Sequence, residues 1–431
     1  MSGPVELVRV RLRNGLEVLL REIHTAPLIS SWLWYRVGSR DERAGTTGIS
    51  HWVEHMQFKG TQAFPAGVLD RAISRDGGSW NAFTYLDWTA YFETMPADRI
   101  DLALRLEADR MINSLFAGGE VVSERTVIIS EREGSENEPT FRLAEEVQAA
   151  AFRVHSYHHE VIGDQADLRT ITREQLHDHY RRHYVPGNAV LAIAGDFKMS
   201  RMLKRVREGF GPIPGAPRPT SIVRPEPEQS GERRVTVEGP GETSFLEVAY
   251  HAPAGRDPQF LTLAILDSIL AGASSLNLFG GGISNKTSRL YRALVEGGLA
   301  ASVAGDLAPT IDPYLYVFHV IVRPDRTPEQ ALEALDRELA RILEHPVKPE
   351  EVAKAIKQAK ALFAYGSESI TNQAFWMGYS EMFADYGWFE SYLERLEDTS
   401  PKDLLDIAAK FLRPGNRVVG IYRPTAGVAH A

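Results

Sequence analysis

His51-Trp52-Val53-Glu54-His55 is the stretch on which the reading of this chain turns. Residues four apart on a helix stand one turn above each other, so His51 and His55 share a face. Glu54, three after His51, lies on that face too. Two imidazoles and a carboxylate aimed at one spot suit Zn²⁺, which takes histidine nitrogen and carboxylate oxygen in tetrahedral geometry. A hydrolytic zinc keeps one position for water and so needs three protein ligands. Glu54 is better used as the base that takes a proton from that water. The competing reading is a solvated helix face with i,i+3 and i,i+4 pairs, because short motifs also arise by accident.

The third ligand must come from elsewhere, and the best source is Ser123 to Glu133. Glu124 and Glu131 are two helical turns apart and share a face. Val127 and Ile128 lie between them, so that face is at least partly buried, where a carboxylate needs a partner.

On these residues the sequence resembles the inverted-zincin peptidases of family M16, which include pitrilysin, the insulin-degrading enzymes and the mitochondrial processing peptidases. The family places a glutamate some seventy-odd residues after the second histidine and another acidic residue seven before it. The resemblance implies that His51, His55 and Glu131 bind Zn²⁺, that Glu54 is the catalytic base and that Glu124 supports the site. Ser130 stands where the family carries a second acidic residue, beside the ligand and not on it. The resemblance also gives a role to Asn81, Ala82 and Thr84. They match an edge strand to which substrate adds through main-chain hydrogen bonds. Read without it, residues 76–91 are a strand with bulky aromatic packing.

Composition narrows the remaining classes. The 431 residues imply two or more domains. A formal net charge of −9 argues against a nucleic-acid footprint. The chain has no cysteine; a transition-metal site must therefore use histidine and carboxylate. Met1 to Leu7 lacks the basic and apolar regions of a signal peptide, and no apolar run approaches a membrane span. The expected compartment is the cytoplasm, or the periplasm if a signal peptide has been removed.

Along the chain, Val8 to Leu20 reads as a hairpin around Asn14-Gly15, and Ile29 to Val37 as a buried strand. Helices are expected over 98–116, 121–133 and 141–154. His155, His158 and His159 follow and read as loop residues, although a second metal site is conceivable there. Thr172 and Gln175 form a capping box. Proline density over 214–232 marks a linker, which divides the chain into a zinc-bearing domain over 1–213 and a second domain over 233–431. Pro186-Gly187-Asn188 recurs as Pro414-Gly415-Asn416, with Leu176 matching Leu404 and Val190 matching Val418 at the same offset. That agreement argues for duplication, yet the second half has no His-x-x-Glu-His. The expected fold is α+β: two homologous domains, each a mostly antiparallel sheet with helices packed on one face. The resemblance implies that they face each other across a substrate cavity.

The function these features predict is a zinc metalloendopeptidase acting on unfolded peptides. The alternative is a non-catalytic structural or partner subunit of the same family. Many active relatives carry an arginine and, six or seven residues on, a tyrosine in the second half. In the matching run here, Ser288 to Ala301, those positions hold Leu294 or Val295 and Ala301. Arg289 or Arg292 could supply the charge, but no tyrosine follows correctly. The run 274–282 just before is longer than usual. The expected partner is therefore a homologous, zinc-less subunit that supplies the Arg/Tyr pair.

Overall fold

Apolar alternation sorts the strands into two sheets in this computed structural model, which describes residues 7–221, 224–274, 276 and 284–425. The first sheet contains β1 (Val8–Arg11), β2 (Glu17–Glu22), β3 (Leu28–Tyr35), β4 (Ser79–Thr84), β5 (Thr89–Pro96) and β6 (Ala189–Gly195), in the order β1-β2-β6-β3-β5-β4. The second contains β7 (Arg233–Pro240), β8 (Phe245–His251), β9 (Ala300–Leu307), β10 (Leu315–Val322) and β11 (Arg417–Thr425), in the order β7-β11-β8-β10-β9. Each sheet is antiparallel except at one pair, β2 with β6 and β7 with β11.

β3 explains how the first sheet is layered. All but the first of its residues are buried, which is the signature of a strand covered on both faces. Successive side chains alternate between the faces. Trp32 and Trp34 meet the helix Ile370–Phe383, with Phe375 at 5.3 and 5.4 Å from the two indoles. Tyr35 points the other way, into a cluster with Tyr91 and Tyr184. Burying one side chain the size of Phe375 is worth roughly 1.5–3 kcal/mol, so this late helix contributes substantially to the early sheet. It adds a layer beyond the helices expected on one face.

Chain order and packing therefore differ. One compact unit is built from the residues up to Arg132, from His159 to 221, and from Ser367 to Phe389; the other takes Glu133–His158, Arg224–Gly366 and Glu390 onward. The division at 214–232 is a division of chain order. Helix Pro139–Ala151, which precedes it, buries Leu143 and Val147 and packs on β7, β8 and β11, which follow it.

The expected helices run over Ile100–Asn113, Gly118–Glu136 and Pro139–Ala151. Pro139 opens the third, at a position where its missing N–H costs nothing. The single strand expected over 76–91 is instead the hairpin β4–β5, turned between Tyr85 and Trp88, whose N–H and carbonyl join at 2.8 Å. No helix among the described residues is long and apolar enough to cross a membrane.

Candidate metal centre

Helix Ile49–Met56 buries Ile49, Trp52, Val53 and Met56 and leaves His51 and His55 half-buried on its other side. Its N-terminus has no side-chain cap of its own. Glu42 supplies one from outside, accepting the Gly48 and Ser50 N–H groups at 2.8 Å each. The positive end of the helix dipole also favours negative charge at that place. Burial pushes the Glu42 carboxyl up to about 8, against the two N–H groups that favour its charged form.

Glu131 arrives from helix Gly118–Glu136. His51 Nε2 and His55 Nε2 stand 3.2 Å apart, and the Glu131 carboxylate lies 3.9 and 3.7 Å from them. The three ligand atoms fall within 4.8 Å of one another, the one such group of histidine and acidic residues among the described residues. Ligands at zinc distances on a tetrahedron stand about 3.3 Å apart. The observed spacing and the N₂O donor set therefore fit a zinc ion with small side-chain adjustments.

The surroundings prepare these donors. His55 Nδ1 lies 2.9 Å from Glu124 Oε1. A proton on that nitrogen leaves Nε2 with its lone pair toward the cation, the orienting role of a carboxylate behind a metal-binding histidine. Burial disfavours a charge on His55, but the bond to Glu124 and the charges of Glu54 and Glu131 outweigh it and raise its pKa. Burial and the neighbouring His55 push His51 down to about 3. Glu124 also ion-pairs with Lys59. Burial works against its charge, yet His55 and Lys59 together hold its carboxyl below the usual range. Lys59 stands in the turn after the helix, where helical spacing from His55 does not announce it.

Glu54 is 8% exposed, and its Oε2 accepts the Thr84 hydroxyl at 2.7 Å. Burial is the main reason its carboxyl is raised, which makes it a readier proton acceptor near neutral pH. Thr84 thus turns its hydroxyl to Glu54. β4 lies at the edge of its sheet, paired with β5. Ala82 is buried there, and the exposed Asn81 accepts the Ala82 N–H through its own Oδ1 at 2.9 Å.

Among the described residues the other histidines make no comparable group. His155 Nδ1 accepts the Tyr157 N–H and its Nε2 faces Asp312 at 3.2 Å. His158 and His159 each place Nδ1 on a backbone carbonyl at 3.0 Å. In the second unit Leu294, within the helical turn Tyr291–Glu296, is fully buried, Ala301 is exposed on β9, and Arg289 is held in two bonds by Glu351 at 3.0 and 2.9 Å. The run 274–282 lies largely outside the described residues.

An edge-stranded α+β unit carrying this His-x-x-Glu-His helix defines a metallopeptidase class. The chain belongs to the M16 peptidase family: the model described as "Insulinase (Peptidase family M16)" matches residues 17–165, and that described as "Peptidase M16 inactive domain" matches 170–359. It is 27% identical to the zinc protease PqqE of Helicobacter pylori, over 96% of this chain and 92% of that one. It is 26% identical to an uncharacterized zinc protease of Streptomyces coelicolor, over 96% and 89%. Among solved structures, a protease from Helicobacter pylori superposes with a TM-score of 0.90 at 25% identity, covering 97% of this chain and all of that one.

Proposed function

We propose that this chain is a zinc endopeptidase of unfolded peptides and the zinc-bearing member of a pair with a homologous, zinc-less chain. The observation that carries the reading is the convergence of His51, His55 and Glu131 with Glu54 held beside them by Thr84. His51, His55 and Glu131 hold the ion. Zinc supplies a Lewis acid and lowers the pKa of water to near neutrality. Glu54 takes the proton from the attacking water and returns it to the leaving amine nitrogen. The open side of β4 receives the peptide as an added strand through main-chain hydrogen bonds, which selects extended chains over a strict sequence. Asn81 and Ala82 are the strand positions it meets.

The zinc-less partner is argued from what replaces the Arg/Tyr pair. Leu294 is a core residue, Ala301 offers only a methyl group, and Arg289 is committed to Glu351. A missing donor to the developing oxyanion costs on the order of a hundredfold or more in rate. A second chain that carries the pair restores it. The rival reading, a non-catalytic subunit, is disfavoured because ligand sets decay in such relatives and this one is complete. Two measurements test the proposal. Metal analysis should find one zinc per chain and none in the His51→Ala, His55→Ala double variant; full occupancy in that variant sinks the ligand assignment. Cleavage of an unfolded peptide should rise by about a hundredfold when the homologous partner is added; full activity of the lone chain, unchanged by the partner, refutes the pairing.

A further inference from the structure

Glu131 is the one ligand that comes from outside the metal helix, so its distance from His51 and His55 must be set by something other than helix geometry. The residue that follows it is placed to do this. Arg132 is 5% exposed, and its Nη1 donates to the Gly163 carbonyl at 3.0 Å. Gly163 in turn lies directly against the start of the metal helix. A Cβ on Gly163 would come within 2.4 Å of Gly48 N and of the Thr47 carbonyl, and a Cβ on Gly48 within 2.3 Å of the Ile162 carbonyl. Both glycines have positive φ, +82° and +84°, a conformation costly for other residues. Backbone therefore meets backbone with no side chain between.

This contact is pinned from both ends. Thr47 Oγ1 accepts the Asp164 N–H at 2.8 Å. The Asp167 carboxylate accepts from Gly45 N, Thr47 N and Thr47 Oγ1 at 3.0, 2.9 and 2.8 Å. The route from Arg132 to His51 is then one buried hydrogen bond, one backbone contact and one helical turn. Arg125, seven residues earlier, makes a parallel anchor. Its Nη2 donates to the Ile171 carbonyl at 2.7 Å, and its guanidinium lies over Trp52 at 5.1 Å. Arg125 and Arg132 repeat the spacing of Glu124 and Glu131 one position further round the helix. The acidic pair faces the metal helix, and the basic pair is tied to the segment that touches that helix's start.

We propose that Arg132 is a positioning residue of the metal centre: through Gly163 and Gly48 it fixes how far Glu131 stands from His51 and His55. The inference rests on the zinc reading above and extends it to a residue that offers no ligand atom. Its test is zinc affinity, measured by chelator competition on the wild-type chain, Arg132→Lys and Arg132→Met, with thermal unfolding of the metal-free proteins recorded beside it. Arg132→Met keeps the unbranched stem of the side chain and removes every donor. It should bind zinc about tenfold or more weakly, the usual cost of losing a residue that supports a ligand, and Arg132→Lys, whose shorter ammonium still donates, should fall between. A purely structural role would lower the unfolding temperature and leave the zinc affinity of the folded protein unchanged, and that result overturns the proposal. Should Arg132→Met fail to fold, Arg132→Lys alone decides: a loss of about threefold or more supports the anchor, and wild-type affinity overturns it. A wild-type chain that takes up no zinc defeats the metal reading and this inference together, whereas wild-type affinity in the variants defeats this inference alone.

Discussion

Helix Ile49–Met56 follows β3, and helix Pro258–Leu270 follows β8, at equivalent places in two sheets whose strands follow the same order once β1 is set aside. The frameworks agree in detail. Asn188 Nδ2 donates to the His183 and Arg36 carbonyls, and Asn416 Nδ2, 228 residues later, donates to those of Phe411 and His251. The capping box of Thr172 and Gln175 is repeated by Ser400 and Asp403 at the same offset. The two helices nonetheless bury different chemistry. The first holds His51, Glu54 and His55; the second is apolar apart from Asp267 and a few neutral polar residues, and Asp267 is satisfied by Tyr316 at 2.8 Å and Ser274 at 3.2 Å. A buried polar group must find a partner. The second helix finds it within the protein; on the first, Glu54 and His55 Nδ1 find Thr84 and Glu124, and on the proposed zinc reading the Nε2 atoms of His51 and His55 share a cation with Glu131. The scaffold is shared by both copies, while the His-x-x-Glu-His set occurs in one.

The largest effect expected from breaking this contrast is at Glu54. Glu54→Gln is nearly isosteric, keeps an acceptor for the Thr84 hydroxyl and cannot take a proton. Peptide cleavage should fall by about 10²- to 10⁴-fold with zinc content unchanged, and wild-type turnover would show that Glu54 is not the base. Next comes the shared framework. Asn188→Ala and Asn416→Ala each strip two carbonyls of their donor, and each should cost roughly 1–3 kcal/mol of stability. Denaturant unfolding of the two variants would measure it, and a large loss in one with none in the other would break the equivalence of the two turns.

Much of this was legible in the residues themselves. That His51 and His55 share a helix face was legible from spacing, because a helix converts an interval of four into adjacency, but spacing alone left a solvated face as the competing reading. The Pro-Gly-Asn repeat was legible as a recurrence, and its reason is now visible: the asparagine amide ties a helix end to the neighbouring strand. Other features were hidden because they depend on contacts distant in sequence. Nothing local announces that Glu42 caps a helix beginning seven residues on, or that Arg132 reaches Gly163. Thr84 was read for its strand, while its hydroxyl serves Glu54 across the fold. The exchange of Ser367–Phe389 into the first unit was equally hidden, since a helix with apolar residues all round names no partner.

The smallest effect expected concerns Asp267, and it sharpens the contrast from the silent side. Burial raises its carboxyl to about 7, against the hydrogen bonds from Tyr316 and Ser274. In the unfolded chain an aspartate titrates near 3.9. Below that value the group is protonated in both states and costs nothing. Between about 4 and about 7 the folded chain keeps a proton that the unfolded chain releases, so stability falls as pH rises through the window. Above it the full penalty persists. Asp267→Asn has the same shape: its oxygen can accept from Tyr316 and its amide can donate to Ser274, but it carries no charge at any pH. The variant should therefore gain stability relative to wild type between pH 5 and pH 8, by on the order of 2–3 kcal/mol. Denaturant unfolding of both proteins at the two pH values measures this difference, because every other titrating group cancels in the comparison. Parallel pH profiles would show that Asp267 is charged in both states over this window, and that Tyr316 and Ser274 suffice to hold it as an anion.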